Sequence, residues 1–333
     1  MFGNIFGSML TKGGSMSTED GSMKTEDGSM KTEGAKTLDG RMGLAAEALA
    51  HADAVLIGAG SGLSTAAGLR YDGEEFRREF RPWIEKYGIT DLYSSSFYPW
   101  PSEEEKWAYW ARHIYAIRFR PAAMPLYKVL LRLVEGRDYF VITTNVDGQF
   151  EKAGFDAGRL FATQGDYAYL QSVTGEPRRL YYDEDLVNEM IANTEDCRIP
   201  SRLVPRCPEN GELMTPNLRV DGNFVEDGRW NSQAEAYTAF VRRASEKRLA
   251  LLEFGVGFNT PSIIRFPFER MAMDFGDATL VRFNRDDCGT MLDGLRRYIP
   301  FAEDLDEGLI DGLAARAGAM EKAGEAKKSE PND

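Results

Sequence analysis

Four loop segments, each directly after a short apolar run, carry the residue types that handle a dinucleotide. Gly58-Ala59-Gly60-Ser61-Gly62 follows Ala54-Val55-Leu56-Ile57 and opens a helix-forming stretch, 63–69. Glycines let the backbone approach a pyrophosphate, and a helix start offers unbonded N–H groups and the positive end of its dipole. Leu63 stands where the third glycine of G-x-G-x-x-G would be, so a plain strand-to-helix turn is the competing reading. Thr143-Thr144-Asn145-Val146-Asp147 ends a second apolar run. The Asn145 amide suits ribose hydroxyls or a water, and the Asp147 carboxylate suits fixing a loop; alternatively Asn145 caps a helix. Gly255-Val256-Gly257-Phe258-Asn259-Thr260 follows a third run, 249–254. Asn284 follows a fourth, 278–283, placed to read an adenosine ribose or to make a turn.

These runs are the elements that must position the loops. Short apolar segments leading into glycine or amide turns read as buried parallel strands. Strand, turn and helix in repetition predict an α/β fold, a doubly wound Rossmann-like parallel sheet. Ligands of such sheets bind at the carboxyl ends of the strands, so the four loops are expected to converge on one crevice. Ahead of the first strand, 42–50 reads as a helix with Leu44, Ala48 and Leu49 on one face. The segment 74–120 is rich in aromatics and charges. Its Trp107, Trp110 and Tyr115 at helical spacing read as core rather than as a ligand box.

Bulk properties narrow the partners. The chain has 333 residues, 43% of them hydrophobic, enough for one large or two modest cores. A net charge of −13 lacks the basic stripe that nucleic acid requires. No run of 18 apolar residues suggests a membrane span, and Met1-Phe2-Gly3-Asn4-Ile5-Phe6 lacks the form of a signal peptide. Cys197, Cys207 and Cys288, without paired spacing, suit a reducing cytoplasm. A seven-residue unit recurs three times across 14–34. Each copy holds one apolar residue, a methionine, and opens with Gly-Ser, so residues 1–40 read as a disordered tail rather than a coiled coil. Residues 316–333 read as a flexible C-terminal tail.

The motif order resembles the sirtuin family, and most closely its macrodomain-linked class M. The resemblance is carried by 58–69, Trp107-Ala108-Tyr109-Trp110, Thr144-Asn145-Val146-Asp147-Gly148-Gln149-Phe150, Thr163-Gln164-Gly165-Asp166-Tyr167, Asn217-Leu218-Arg219-Val220-Asp221 and Gly255 to Pro261. It covers about residues 41–310 and implies a catalytic domain over 41–315. Small-module insertions fall at about 71–124 and 166–230, forming a helical and degenerate zinc-ribbon part. It implies NAD as co-substrate, Gly58 to Gly62 as phosphate loop, and Asn145, Gln164 and Arg219 as the catalytic set. Asp147, Gly255, Val256, Gly257, Asn259 and Asn284 are implied as further cofactor contacts. Class M members resemble protein ADP-ribosyltransferases that act on a lipoyl-carrying relative of the glycine cleavage H protein, and a companion macrodomain protein removes the mark.

Three departures matter. Gln164 stands where most sirtuins carry a catalytic histidine, and glutamine has no pKa near neutrality with which to act as a base. The contacts that ordinary sirtuins make to nicotinamide after the first helix are replaced by Leu69-Arg70-Tyr71-Asp72-Gly73. Cys207-Pro208-Glu209-Asn210-Gly211 resembles half a zinc knuckle, and its counterpart near 171–175 has no cysteine or histidine, so no zinc is expected.

Cleaving nicotinamide from NAD develops an oxocarbenium-like sugar, which positioned dipoles stabilise without proton transfer. Deacylation additionally favours a base near neutrality. His51 and His113 are the only histidines, and both read as structural. An acceptor carboxylate is already ionised at neutral pH, and Arg219 would orient it; otherwise Arg219 is a surface arginine. The leading expectation is therefore an NAD-dependent protein ADP-ribosyltransferase. A sirtuin-type deacylase, a non-catalytic NAD or ADP-ribose sensor and an NAD glycohydrolase are the alternatives.

Overall fold

The computed structural model describes residues 36–329. The seven-residue repeats lie outside the described residues, as do most of the expected 1–40 tail and the last four residues. The core is a six-stranded sheet in the order β3-β2-β1-β7-β8-β9. Its strands are β1 (Ala54–Ala59), β2 (Tyr139–Thr143), β3 (Leu160–Ala162), β7 (Leu249–Phe254), β8 (Ala278–Phe283) and β9 (Tyr298–Phe301). β2–β3, β7–β8 and β8–β9 pair in parallel. β1, β2 and β7 are buried along their whole length, as the continuous apolar runs require of a sheet covered on both faces.

The chain divides into two compact units. One comprises the described residues up to Gly58 together with 133–140 and those from Ala236 onward. Here α1 (Leu38–Ala50) begins at Thr37, whose side chain accepts the Gly40 N–H, slightly earlier than the sequence suggested. The last helix, α12 (Glu307–Ser329), corrects the expected tail from residue 316. Ile310, Leu313 and Ala317 are fully buried, and Arg316 bonds Asp39 at 2.7 Å on α1. The helix was missed because Gly312, Gly318 and many alanines blur its amphipathic pattern. Gly58 lies within β1, where an added Cβ would come 2.5 Å from Ile264 and 2.6 Å from Phe268, so its glycine is a packing requirement.

The other unit comprises 59–132 and 141–235. After α2 (Ser61–Ala66) come α3 (Gly73–Glu79), α4 (Arg81–Tyr87), α5 (Leu92–Ser95) and α6 (Glu103–Ile114), which runs into a π-helical turn, Tyr115–Phe119. Ser102 caps α6 by accepting the Glu105 N–H, and three glutamates in the first turn complement its dipole. Trp107, Tyr109 and Trp110 are buried in one aromatic core with Phe80, Trp83 and Tyr167. A second sheet, order β5-β4-β6, joins β4 (Gly165–Ser172), β5 (Tyr181–Tyr182) and β6 (Met214–Leu218) in antiparallel fashion. α7 (Pro125–Val134), α8 (Gln149–Ala153), α9 (Glu184–Ala192), α10 (Gly228–Ala244) and α11 (Arg265–Asp274) complete the elements used below.

Candidate active site

β2 delivers Asn145 into a closed hydrogen-bond cluster. Its backbone N–H is held by Thr143 Oγ1 at 3.0 Å, and Thr143 Oγ1 donates at 3.0 Å to Ala59 O at the end of β1. Asn145 Nδ2 donates to Gly60 O at 3.0 Å, Ser64 Oγ at 3.1 Å and Tyr127 OH at 3.2 Å. Ser64 also contacts Tyr127 OH at 2.8 Å and donates to Asp147 Oδ2 at 2.5 Å. Asp147 Oδ1 accepts the Gln149 N–H at 3.0 Å, which makes it the loop clamp expected of it. Burial pushes the Asp147 carboxyl upward, while the Ser64 hydroxyl and the Gln149 N–H pull it back. Asn145 is not a helix cap: α8 starts at Gln149 with left-handed Gly148 as its N-cap, φ +66°. A Cβ on Gly148 would lie 2.3 Å from the Arg118 guanidinium, which forks onto Asp166 at 2.7 and 3.1 Å. Ser64, Tyr127 and Arg118 were not singled out in the sequence; no local pattern ties them to Asn145 or Asp166.

The β4–β6 pairing brings Gln164 and Arg219 together. Arg219 N–H donates to Gln164 O at 3.0 Å, continuing the register Gly165↔Leu218. Gly165 has φ +99°, and a Cβ there would meet Asn217 O at 1.9 Å, so only glycine permits this approach. The Arg219 guanidinium donates to Glu226 at 2.7 Å and Thr163 O at 3.3 Å, and sits 4.2 Å from the Phe224 ring centre. It is therefore not the loose surface arginine of the competing reading. Gln164 Oε1 is buried without a hydrogen-bond partner. A buried acceptor in that state is the mark of a ligand position rather than of a finished core. Gln164, Trp110, Tyr167 and Arg219 line a groove of about 290 Å³ rimmed by Tyr93 and Phe97.

Behind that wall lies His113. Its ring stacks on Trp110 with centroids 5.1 Å apart, and Nδ1 meets Tyr109 OH at 3.1 Å. Complete burial depresses its pKa to about 3. His51 instead caps α1 through Glu47 O, 2.9 Å from Nδ1. His113, neutral and enclosed, offers the groove no base.

The remaining expected contacts lie in the first unit. Gly255, φ +58°, ends β7, and Val256 O accepts from Asn284 Nδ2 at 3.0 Å and from buried Arg265 at 3.2 Å. Asn284 Oδ1 accepts the N–H groups of Asp286 and Asp287. Gly257 and Asn259 are exposed. Ala59 is buried at the end of β1, which leaves Gly60, Ser61 and Gly62 at the start of α2, where no side chain caps the backbone.

In the degenerate knuckle, Glu212 ties the two loops together by accepting from Ser172 Oγ at 2.5 Å and Thr174 Oγ1 at 2.7 Å. Asn210 reaches Glu176 O at 3.0 Å. Among the described residues no group of three or more His, Cys, Asp or Glu is placed to hold a metal ion.

No family model matches the sequence. A protein ADP-ribosyltransferase of Staphylococcus aureus is 34% identical over 239 residues, 72% of this chain and 76% of that protein. This chain belongs to the sirtuin-like protein ADP-ribosyltransferases. A probable bifunctional ADP-ribose hydrolase/ADP-ribosyltransferase of Fusarium oxysporum f. sp. cubense is also 34% identical, over 84% of this chain; the transferase spans about half (47%) of that protein's length. Among solved structures, a Sir2 homologue–NAD complex superposes with a TM-score of 0.54 at 14% identity, covering 83% of this chain and 93% of the other. A Sir2 homologue–ADP-ribose complex gives 0.53 at 14%, covering 86% and 98%. These likenesses bear out the α/β sirtuin fold, and the transferase activity expected from the sequence is that of the family.

Proposed function

We propose that this chain transfers ADP-ribose from NAD to a carboxylate of a protein acceptor with release of nicotinamide. The observation that carries the reading is Gln164, a non-titrating amide whose buried Oε1 has no partner, facing a groove to which His113 offers no base. NAD supplies the ADP-ribosyl group and nicotinamide as its leaving group. Gly60 to Gly62 offer backbone N–H groups to the pyrophosphate; the adenosine contact implied by the sirtuin resemblance falls on Asn284, whose amide bonds Val256 O. Gly255, Gly257 and Asn259 belong to the same loop as Val256, and Gly58 packs against Ile264 and Phe268. The Nδ2 of Asn145 is committed to the fold, which leaves Oδ1 for a ribose hydroxyl; Asp147 holds the loop in place. Gln164 Oε1 accepts a second hydroxyl, and both dipoles stabilise positive charge developing on the sugar. Arg219 orients the incoming carboxylate, which needs no base.

The acceptor we propose is the lipoylated H-like carrier of the class M resemblance, with a macrodomain ADP-ribosyl hydrolase as the opposing activity. The double name of the Fusarium relative supports that pairing. The three cysteines are unpaired, in keeping with a reducing cytoplasm, and no helix among the described residues is long and apolar enough to cross a membrane. Intact-mass analysis of the lipoylated carrier with NAD and enzyme tests the reading. A gain of one ADP-ribose, lost with Gln164→Ala, is expected. Nicotinamide release only on an acylated peptide would return the chain to the deacylases, and tight NAD binding without release would make it a sensor.

A further inference from the structure

Between β8 and β9 the chain forms no helix or strand, and Arg285, Asp286, Thr290 and Met291 of that loop are exposed. A surface loop of this kind ordinarily bonds to water and is soft in position. Here three fully buried charged side chains hold its main chain. Arg265, the first residue of α11, donates to Gly289 O at 2.7 Å, Asp287 O at 3.4 Å and Val256 O at 3.2 Å. Arg282 on β8 adds a second bond to Gly289 O at 2.6 Å. Glu269, one turn along α11 from Arg265, accepts the N–H groups of Met291 and Leu292 at 2.9 and 3.1 Å. All of these residues belong to the same compact unit.

Arginine and glutamate are seldom buried completely, and each of these directs bonds to a loop that carries an expected cofactor contact. What a guanidinium adds over an apolar side chain is position: its planar fork fixes several carbonyls relative to one another. Two of the residues that Arg265 grips also orient Asn284. Val256 O accepts from Asn284 Nδ2 at 3.0 Å, and the Asp287 N–H donates to Asn284 Oδ1 at 3.2 Å. We propose that Arg265 is a positioning residue for NAD: through Val256 and Asp287 it fixes the Asn284 amide for the adenosine ribose, with Glu269 and Arg282 bracing the rest of the loop. The inference rests on the adenosine contact of Asn284 proposed above. A preformed adenosine seat lowers the ordering cost of binding and leaves bond breaking at the nicotinamide ribose unaffected. Its signature is a change in KM with kcat held.

The test is steady-state nicotinamide release by the full chain, with calorimetric titration of AMP and of nicotinamide mononucleotide as probes of the two halves of NAD. Arg265→Lys keeps the charge and loses the fork. It should raise KM for NAD and weaken AMP binding about tenfold, with kcat and nicotinamide mononucleotide affinity within about twofold of the parent. Asn284→Ala should weaken AMP binding to a similar extent. The double variant should be within about twofold of the weaker single one, since one residue acts through the other. Glu269→Gln retains side-chain volume and should show the same split at about threefold, which keeps the test open if thermal melts show Arg265→Lys unfolded. A parental KM in either folded variant, a loss confined to kcat, or additive losses in the double variant would overturn the proposal and leave the adenosine reading intact. AMP binding unchanged by Asn284→Ala would overturn both.

Discussion

Replacing Ser64 by alanine removes the hub of the Asn145 cluster. The Ser64 hydroxyl donates to Asp147 at 2.5 Å, meets Tyr127 OH at 2.8 Å and accepts from Asn145 Nδ2 at 3.1 Å, all in a buried setting. Asn145 Nδ2 keeps Gly60 O and Tyr127 OH, so that group stays satisfied. Asp147 keeps only the Gln149 N–H, and a lost bond to a charged group is worth ~1.5–3 kcal/mol. Adding the weakened Tyr127 contact gives a loss of about 2–4 kcal/mol, or roughly 3–6 °C in melting temperature. The loss should depend on pH. Burial already raises the folded-state pKa of Asp147 above the ordinary 3.8, and removing a donor raises it further. A raised folded-state value contributes stability at low pH that fades as pH rises, so the deficit of Ser64→Ala should widen as pH rises. Freed from one of its anchors, Asn145 should shift against the ribose, lowering kcat/KM for nicotinamide release by about 10- to 100-fold, mainly in kcat. Paired urea melts at several pH values and NAD titrations read both effects. A variant as stable as the parent at pH 8 and equally active would refute the view that Ser64 positions Asn145.

Gly165→Ala should be among the most damaging single changes, costing ~3 kcal/mol or more, because its Cβ would lie 1.9 Å from Asn217 O at φ +99°. Circular-dichroism melts matching the parent would disprove the close β4–β6 approach. His113, held at about 3 in the fold against 6.5 when unfolded, makes stability fall as pH drops from 6.5, by at most ~1.4 kcal/mol per pH unit. His113→Phe should flatten that acid limb in urea titrations, and parallel curves for the two proteins would count against it. Arg282→Leu leaves Glu253 and Glu269, both fully buried, without their shared cation and should cost ~3–5 kcal/mol. Adding Glu253→Leu should recover part of that loss, and an additive double variant would argue against the coupling.

The sequence alone determined the strands and the loops after them. Ala54–Ala59, Tyr139–Thr143, Leu249–Phe254 and Ala278–Phe283 were legible because a strand buried on both faces must be apolar along its whole length. The amide and glycine loops and the absence of a histidine at Gln164 were equally local and equally readable. Tertiary structure decided what those residues touch. Asn145 is fixed by Ser64 and Tyr127, 81 and 18 positions away, and neither advertises the link in its own neighbourhood. Gln164 meets Arg219 only through antiparallel register, and Gly58 is packed closely against Phe268 and Ile264, where a Cβ would not fit. The buried Glu253–Arg282–Glu269 set and the α12 helix escaped sequence reading for one reason. A charge in a strand or a glycine-interrupted terminus is favoured once its distant partner closes over it, and that free energy belongs to the contact rather than to either segment.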